Sequence, residues 1–120
     1  MPNKLLILAV RKEGMTPAAF KDYYETVHIP LMKQLSGDKF PVSHHRRYSS
    51  RTGAPGENVP YDAVAEIVYR DQEHMQAHSA LLGSEENQQK VMEDCMNFLD
   101  LSKTANIVVE EDIETLGSTG

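Results

Sequence analysis

The segment FKDYYETVHIPLMK, residues 20–33, sets a phenol and an imidazole four residues apart in what reads as one helix. Side chains at i and i+4 are neighbours on a helix, so Tyr24 and His28 share a stripe with Phe20 and Leu31. A histidine suits proton transfer because its unperturbed pKa of about 6.5 lets it take or release a proton near neutrality. A tyrosine beside it can orient the ring or donate a hydrogen bond to a developing oxyanion. A second set lies in HHRRYSSR, residues 44–51. Read as a strand, it puts His44, Arg46 and Tyr48 on one face and His45, Arg47 and Arg51 on the other. Arg46 has the chemistry to anchor a substrate carboxylate, since guanidinium binds carboxylates through paired hydrogen bonds. Asp62, if buried, must be paired: it could orient His28 or His44, or form an ion pair with Arg46 or Arg47. The candidate catalytic residues are therefore His28, His44 and Tyr24, with Arg46, Tyr48, Asp62 and Phe20 as candidate substrate contacts.

Each of these has a structural reading beside the functional one. His28 could be a core histidine bonded to a local carbonyl, and Tyr24 an amphipathic core tyrosine with its hydroxyl at the surface. The charges of residues 44–51 could serve only to keep an edge strand from pairing with other chains. Pro30 bears on His28 directly. It cannot bond to the carbonyl of Thr26, so the helix should kink or loosen there and leave His28 lining a gap.

Other reactive residue types point nowhere in particular. His74 and His78 have the spacing of two metal ligands on one helix face, but no third ligand follows and HMQAH lacks the glutamate of a metalloprotease. No metal is expected. Cys95, preceded by Glu93 and Asp94, should have a raised pKa and act in packing. Met75, Met92 and Met96 read as core residues.

The elements that position these groups follow from apolar pattern and turn chemistry. LLILAV, residues 5–10, is apolar without alternation, as in a strand covered on both faces. Thr16-Pro17 reads as a helix start, with Thr as N-cap and Pro in the first turn. The helix carries Phe20, Tyr23, Tyr24, Val27, His28, Leu31 and Leu35 on a broad inner face, and SGDKFP ends it. TGAPGENVP, residues 52–60, is a Gly- and Pro-rich loop, expected to be mobile. YDAVAEIVY, residues 61–69, alternates as a strand with Ala63, Ala65, Ile67 and Tyr69 on one face. Asp71 should cap a second helix reaching Leu82, and Ser84 a third reaching Leu99. ANIVVEEDIE, residues 105–114, is the last strand.

The order β-α-β-β-α-α-β gives an α+β, ferredoxin-like fold: a four-stranded antiparallel sheet with helices on one side. One domain is expected over residues 1–115, followed by a tail over 116–120. Helices on one side leave the other apolar face of LLILAV bare, and a patch of that kind normally marks an interface. A homodimer closed sheet to sheet is the expectation.

Bulk properties narrow the partners. The net charge of −6 argues against a nucleic-acid surface. The N-terminal apolar run is too short to span a membrane, and Arg11, Lys12 and Glu13 follow it where a signal peptide would place a cleavage site. A single cysteine excludes an intrachain disulfide and suits a reducing compartment, so a cytoplasmic protein is expected.

RKEGMTPAAFKDYYETVHIPLMKQL, residues 11–35, resembles the signature segment of the EthD-type branch of the dimeric α/β-barrel superfamily. FPVSHHRRY and YDAVAEIVY are similar to fungal members of that family, many of which tailor polyketides. The resemblance implies a dimeric α/β barrel with a pocket between each sheet and its helices. It also implies chemistry without metal or organic cofactor, and it favours the His44 face as the pocket side. It implies no single reaction, because the superfamily includes decarboxylation, dehydration, cyclisation and oxygenation. The expectation is a cofactor-independent lyase, a decarboxylase or a dehydratase/cyclase, acting on a small aromatic or polyketide-like substrate. The alternatives are a cofactor-free oxygenase of a phenol and a non-catalytic dimeric protein that binds a hydrophobic ligand.

Overall fold

A computed structural model describes residues 3–50 and 59–118. The strands are β1 (Lys4–Ala9), β2 (Ser43–Tyr48), β3 (Ala63–Val68) and β4 (Ala105–Val108). Between β1 and β2 runs one long helical segment: α1 (Pro17–Tyr23), a π turn (Tyr24–His28), α2 (Ile29–Ser36) and a 3-10 turn (Gly37–Lys39). The helices α3 (Gln72–Leu82) and α4 (Gln88–Phe98) separate β3 from β4. All strand pairs are antiparallel, in the order β2-β3-β1-β4, which is the expected ferredoxin-like plan.

Local chemistry explains the helix starts. The Thr16 hydroxyl accepts a hydrogen bond from the Ala19 N–H at 3.1 Å, and Pro17 stands where no N–H is needed. Asp71 caps α3 by accepting from the His74 N–H at 2.8 Å. Ser84 starts a turn, rather than α4 itself: its hydroxyl accepts from the Asn87 N–H at 3.3 Å and the helix begins at Gln88. Two strands are shorter than their sequence patterns. β2 ends at Tyr48, with Arg51 outside the described residues, and β4 ends at Val108 because Val109 is the last residue to bond back to β1. Of the Gly- and Pro-rich loop, residues 52–58 lie outside the described residues.

The loosening expected at Pro30 is present, one turn earlier and in a specific form. The Ile29 N–H bonds to the carbonyl of Tyr24, five residues back, so the chain makes a wide turn before the proline. This extra residue changes the inner stripe: Tyr24 and His28 are both buried, whereas Val27, expected inside, is 41 % exposed.

Strand register fixes which face meets the helices. Opposite one another across β1, β3 and β2 lie Ala9, Ala63 and Tyr48, then Ile7, Ala65 and Arg46, then Leu5, Ile67 and His44. Small residues on this face admit large rings, and Ala9 and Ala63 form a core cluster with Phe20, Tyr24 and Phe98. The opposite face carries Leu6, Leu8, Val64 and Val68 half-buried and Ile107 exposed, with Lys4, Glu66 and Arg47 forming ion pairs among them. Among the described residues, no helix is long and apolar enough to cross a membrane.

Candidate active site

His28 is held from the last turn before Pro30 against α4. Its Nδ1 lies 2.6 Å from Oδ2 of Asp94, and both side chains are buried. A buried carboxylate accepts, so Nδ1 carries the proton and Nε2 presents a lone pair. Nε2 bonds to no described group; because no buried side-chain nitrogen or oxygen lacks a partner, this atom sits where solvent can reach it. Burial lowers the His28 pKa, and the Asp94 carboxylate offsets this only in part. The ring at neutral pH is therefore uncharged and basic at Nε2.

Aromatic packing fixes the ring. Phe98 lies 4.8 Å away, centroid to centroid, and Tyr24 meets it edge-on at 5.4 Å. The gap expected beside His28 is not opened by the wide turn: cavities of about 450 Å3 and about 200 Å3 lie toward Asp62, and His28 lines neither. Tyr48 and Phe20 line the smaller one, together with Lys21, Ser49 and Asp62.

Tyr24 connects the helix to β2. Its hydroxyl is 3.1 Å from Nε2 of His44, so the His44 face is indeed the one that meets the helices. Burial first, then the neighbouring Arg46 charge, holds His44 down to about 4. Burial likewise raises the Tyr24 pKa far above the usual phenol range, so the group stays a hydrogen-bond donor. His28, His44 and Tyr24 thus form one connected cluster.

Two expected substrate contacts have other partners. The Arg46 guanidinium grips Glu25, with Nε and Nη2 at 2.6 and 2.7 Å from its two carboxylate oxygens, while Nη1 donates to the His44 carbonyl at 2.8 Å. The Tyr48 hydroxyl donates to the same carboxylate at 2.6 Å. Arg46, with Tyr48 assisting, holds the Glu25 pKa down to about 2. Its paired hydrogen bonds therefore go to a side chain of this chain, in place of a substrate carboxylate. Asp62 neither orients a histidine nor pairs with Arg46 or Arg47; it accepts from the Arg11 N–H at 2.8 Å and from the Arg11 guanidinium at 2.5 Å. The Asp62 side chain is redirected because it precedes β3, opposite the residues that follow Ala9.

The remaining histidines serve packing. His74 accepts from the Arg70 N–H and donates to the Lys39 carbonyl, tying α3 to the turn after α2. His78 bridges the Ser36 and Tyr69 hydroxyls at 2.8 and 2.7 Å. Among the described residues no group of three potential ligands could hold a metal ion. Burial, more than its acidic neighbour, pushes the Cys95 thiol up to about 11. Met92 and Met96, expected in the core, are more than half exposed because they lie on the outer face of α4.

Two important residues were not singled out from sequence. Asp94 was read only as a neighbour of Cys95, although its spacing of four from Phe98 puts both on the inner face of α4. Glu25 sits within Tyr-Tyr-Glu, a signal that carried no assigned role.

Comparison with known proteins agrees with this arrangement. None of the curated proteins compared with the chain matches it. An EthD family protein of Bacillus halodurans has a similar structure, with a TM-score of 0.65 at 22% identity over 93% of this chain and 100% of that one. A protein of Arabidopsis thaliana reaches a TM-score of 0.62 at 16% identity, covering 96% of this chain and 100% of its own. An EthD-like protein of Ralstonia eutropha reaches 0.61 at 18% identity, covering 99% and 97%. At these identities the likeness is one of fold. The model of the EthD domain matches residues 12–102, more than half of the sequence, and the chain belongs to the EthD family.

Proposed function

We propose that this protein is a cofactor-independent acid–base enzyme, a lyase in which His28 removes a proton next to a carbonyl of a small aromatic or polyketide-like substrate. The observation that carries the reading is the Asp94-backed imidazole, uncharged and with Nε2 claimed by no described group. A buried carboxylate on Nδ1 fixes the tautomer and stabilises the imidazolium formed as Nε2 takes the proton. In a dehydration, the α C–H bond breaks, its proton goes to Nε2, and its electron pair forms the new double bond as the β C–O bond breaks. The Tyr24 hydroxyl gives its proton to the departing hydroxide, and water leaves; proton return from His28 through solvent restores the site. Dehydration, or the related cyclisation, is favoured over decarboxylation because Glu25 occupies the fork of Arg46.

Two further elements complete the proposal. A second copy covers the apolar face of Leu6, Leu8, Val64 and Val68, as a domain of this fold with helices on one side requires. The single cysteine, with its raised pKa, suits a reducing cytoplasm.

The test is turnover of β-hydroxy ketone and aryl carboxylate substrates by the wild type and by His28→Asn and Asp94→Asn. Loss of His28 should lower kcat by about 10²–10⁴-fold, the usual worth of a general base. Near-normal turnover in His28→Asn would overturn the mechanism. The close aromatic packing of His28 favours a second reading, a dimeric protein that holds a hydrophobic ligand. On that reading ligands bind, are released unchanged, and His28→Asn leaves their affinity nearly as it was.

A further inference from the structure

Asp94 is held from two sides. Its Oδ2 receives His28, while its Oδ1 accepts from the Tyr23 hydroxyl at 2.7 Å. The Tyr23 oxygen in turn accepts from the Asn97 side-chain amide at 3.0 Å. Because the amide can only donate, the phenolic proton is committed to Asp94, and the chain of hydrogen bonds has one direction. Tyr23 is stacked on Phe98 at 5.1 Å with the planes 25° apart, and Phe98 also packs on His28. One aromatic ring thus registers the phenol and the imidazole on either side of the carboxylate.

The geometry points to Tyr23, steered by Asn97, as the positioning residue of the His28 base: it pins the second oxygen of Asp94 so that the carboxylate cannot turn away from Nδ1. This rests on the acid–base reading of His28. With both oxygens engaged, rotation of the carboxylate would break one charge-assisted hydrogen bond, and the imidazole stays in the orientation that leaves Nε2 outward. Tyr23 also draws part of the negative charge toward Oδ1. Without it, more charge faces His28, the imidazolium is better stabilised, and the base titrates at higher pH. The other groups acting on His28 are Tyr24 from its own segment, and His44 and Arg46 from β2. Cys95 lies next to Asp94 on α4. All of these remain in a Tyr23→Phe variant, which also keeps the ring stacked on Phe98.

The experiment measures the His28 titration by NMR of the imidazole carbon-bound protons, assigned with His28→Asn, in the wild type and in Tyr23→Phe. The His28 midpoint should move to higher pH in Tyr23→Phe, and kcat should fall about tenfold with KM little changed, its acid limb following the NMR midpoint. An unchanged midpoint in a folded Tyr23→Phe overturns the inference. Should that variant not fold, Asn97→Ala, at an exposed position, frees the phenolic proton and must shift the midpoint in the same direction, and an unmoved midpoint overturns the inference there too. The NMR readout needs no substrate, so it separates the two claims. Full activity in His28→Asn with a shifted midpoint in Tyr23→Phe defeats the catalytic reading and leaves the positioning chain standing.

Discussion

Burial of His44 without a carboxylate partner should make the protein sensitive to mild acid. Its pKa falls from an ordinary value of 6.5 to about 4 in the folded chain, because burial and the Arg46 charge both oppose the imidazolium. The folded state therefore binds fewer protons than the unfolded one between these values. Stability is fully present above the unfolded pKa and is lost as pH falls through the window from about 6.5 to about 4. Integrating the proton difference for this one group from about pH 7.5 to about pH 5 gives a loss of about 2 kcal/mol. His28 and His78 are also lowered and contribute with the same sign. Glu25, held down to about 2, loses its contribution only below its ordinary 4.5, outside that range. The assay is urea unfolding followed by circular dichroism across this range, for the wild type and for His44→Gln. Glutamine can keep the hydrogen bond to Tyr24 but does not titrate. The variant should lose about 2 kcal/mol less than the wild type over the same interval. Parallel curves, or a wild type more stable at pH 5 than at pH 7.5, would refute the argument.

Two other outcomes follow from packing. Phe98→Ala removes a fully buried ring shared by Phe20, Tyr23, Tyr24 and His28, and should cost about 3–5 kcal/mol in chemical denaturation. Leu8→Lys on the outer sheet face should halve the mass seen by light scattering while leaving the circular dichroism spectrum of the protomer intact.

Most of the fold was readable because its signals are local. Thr16-Pro17 and Asp71 announce their helices, and the alternation from Ala63 to Ile67 matches the buried face of β3. The cluster of Tyr24, His28 and His44 was also legible, since helix spacing and strand alternation place each on an inner face. What sequence could not supply was the partner across space. Asp94 is 66 residues from His28, and the Asp62–Arg11 pair spans 51. Neither separation obeys any period. The competition for Arg46 was hidden for the same reason: a guanidinium takes whichever carboxylate the packing brings first, here Glu25 from the facing helix. Val27 was misplaced because a fixed angular increment per residue fails where one turn is wider than its neighbours.

That wider turn makes chain length a control on chemistry. The Tyr24–Ile29 bond encloses one residue more than an ordinary turn does. Deleting Thr26, whose side chain is exposed, would let the ladder close up into a regular helix. Everything from His28 onward would then swing by about 100° relative to Phe20 and Tyr24. The imidazole would leave Asp94 while every residue that builds the core before it stayed put. A swap of this helix for an idealised one of equal length would fail in the same way, keeping the scaffold and losing the alignment of its reactive ring.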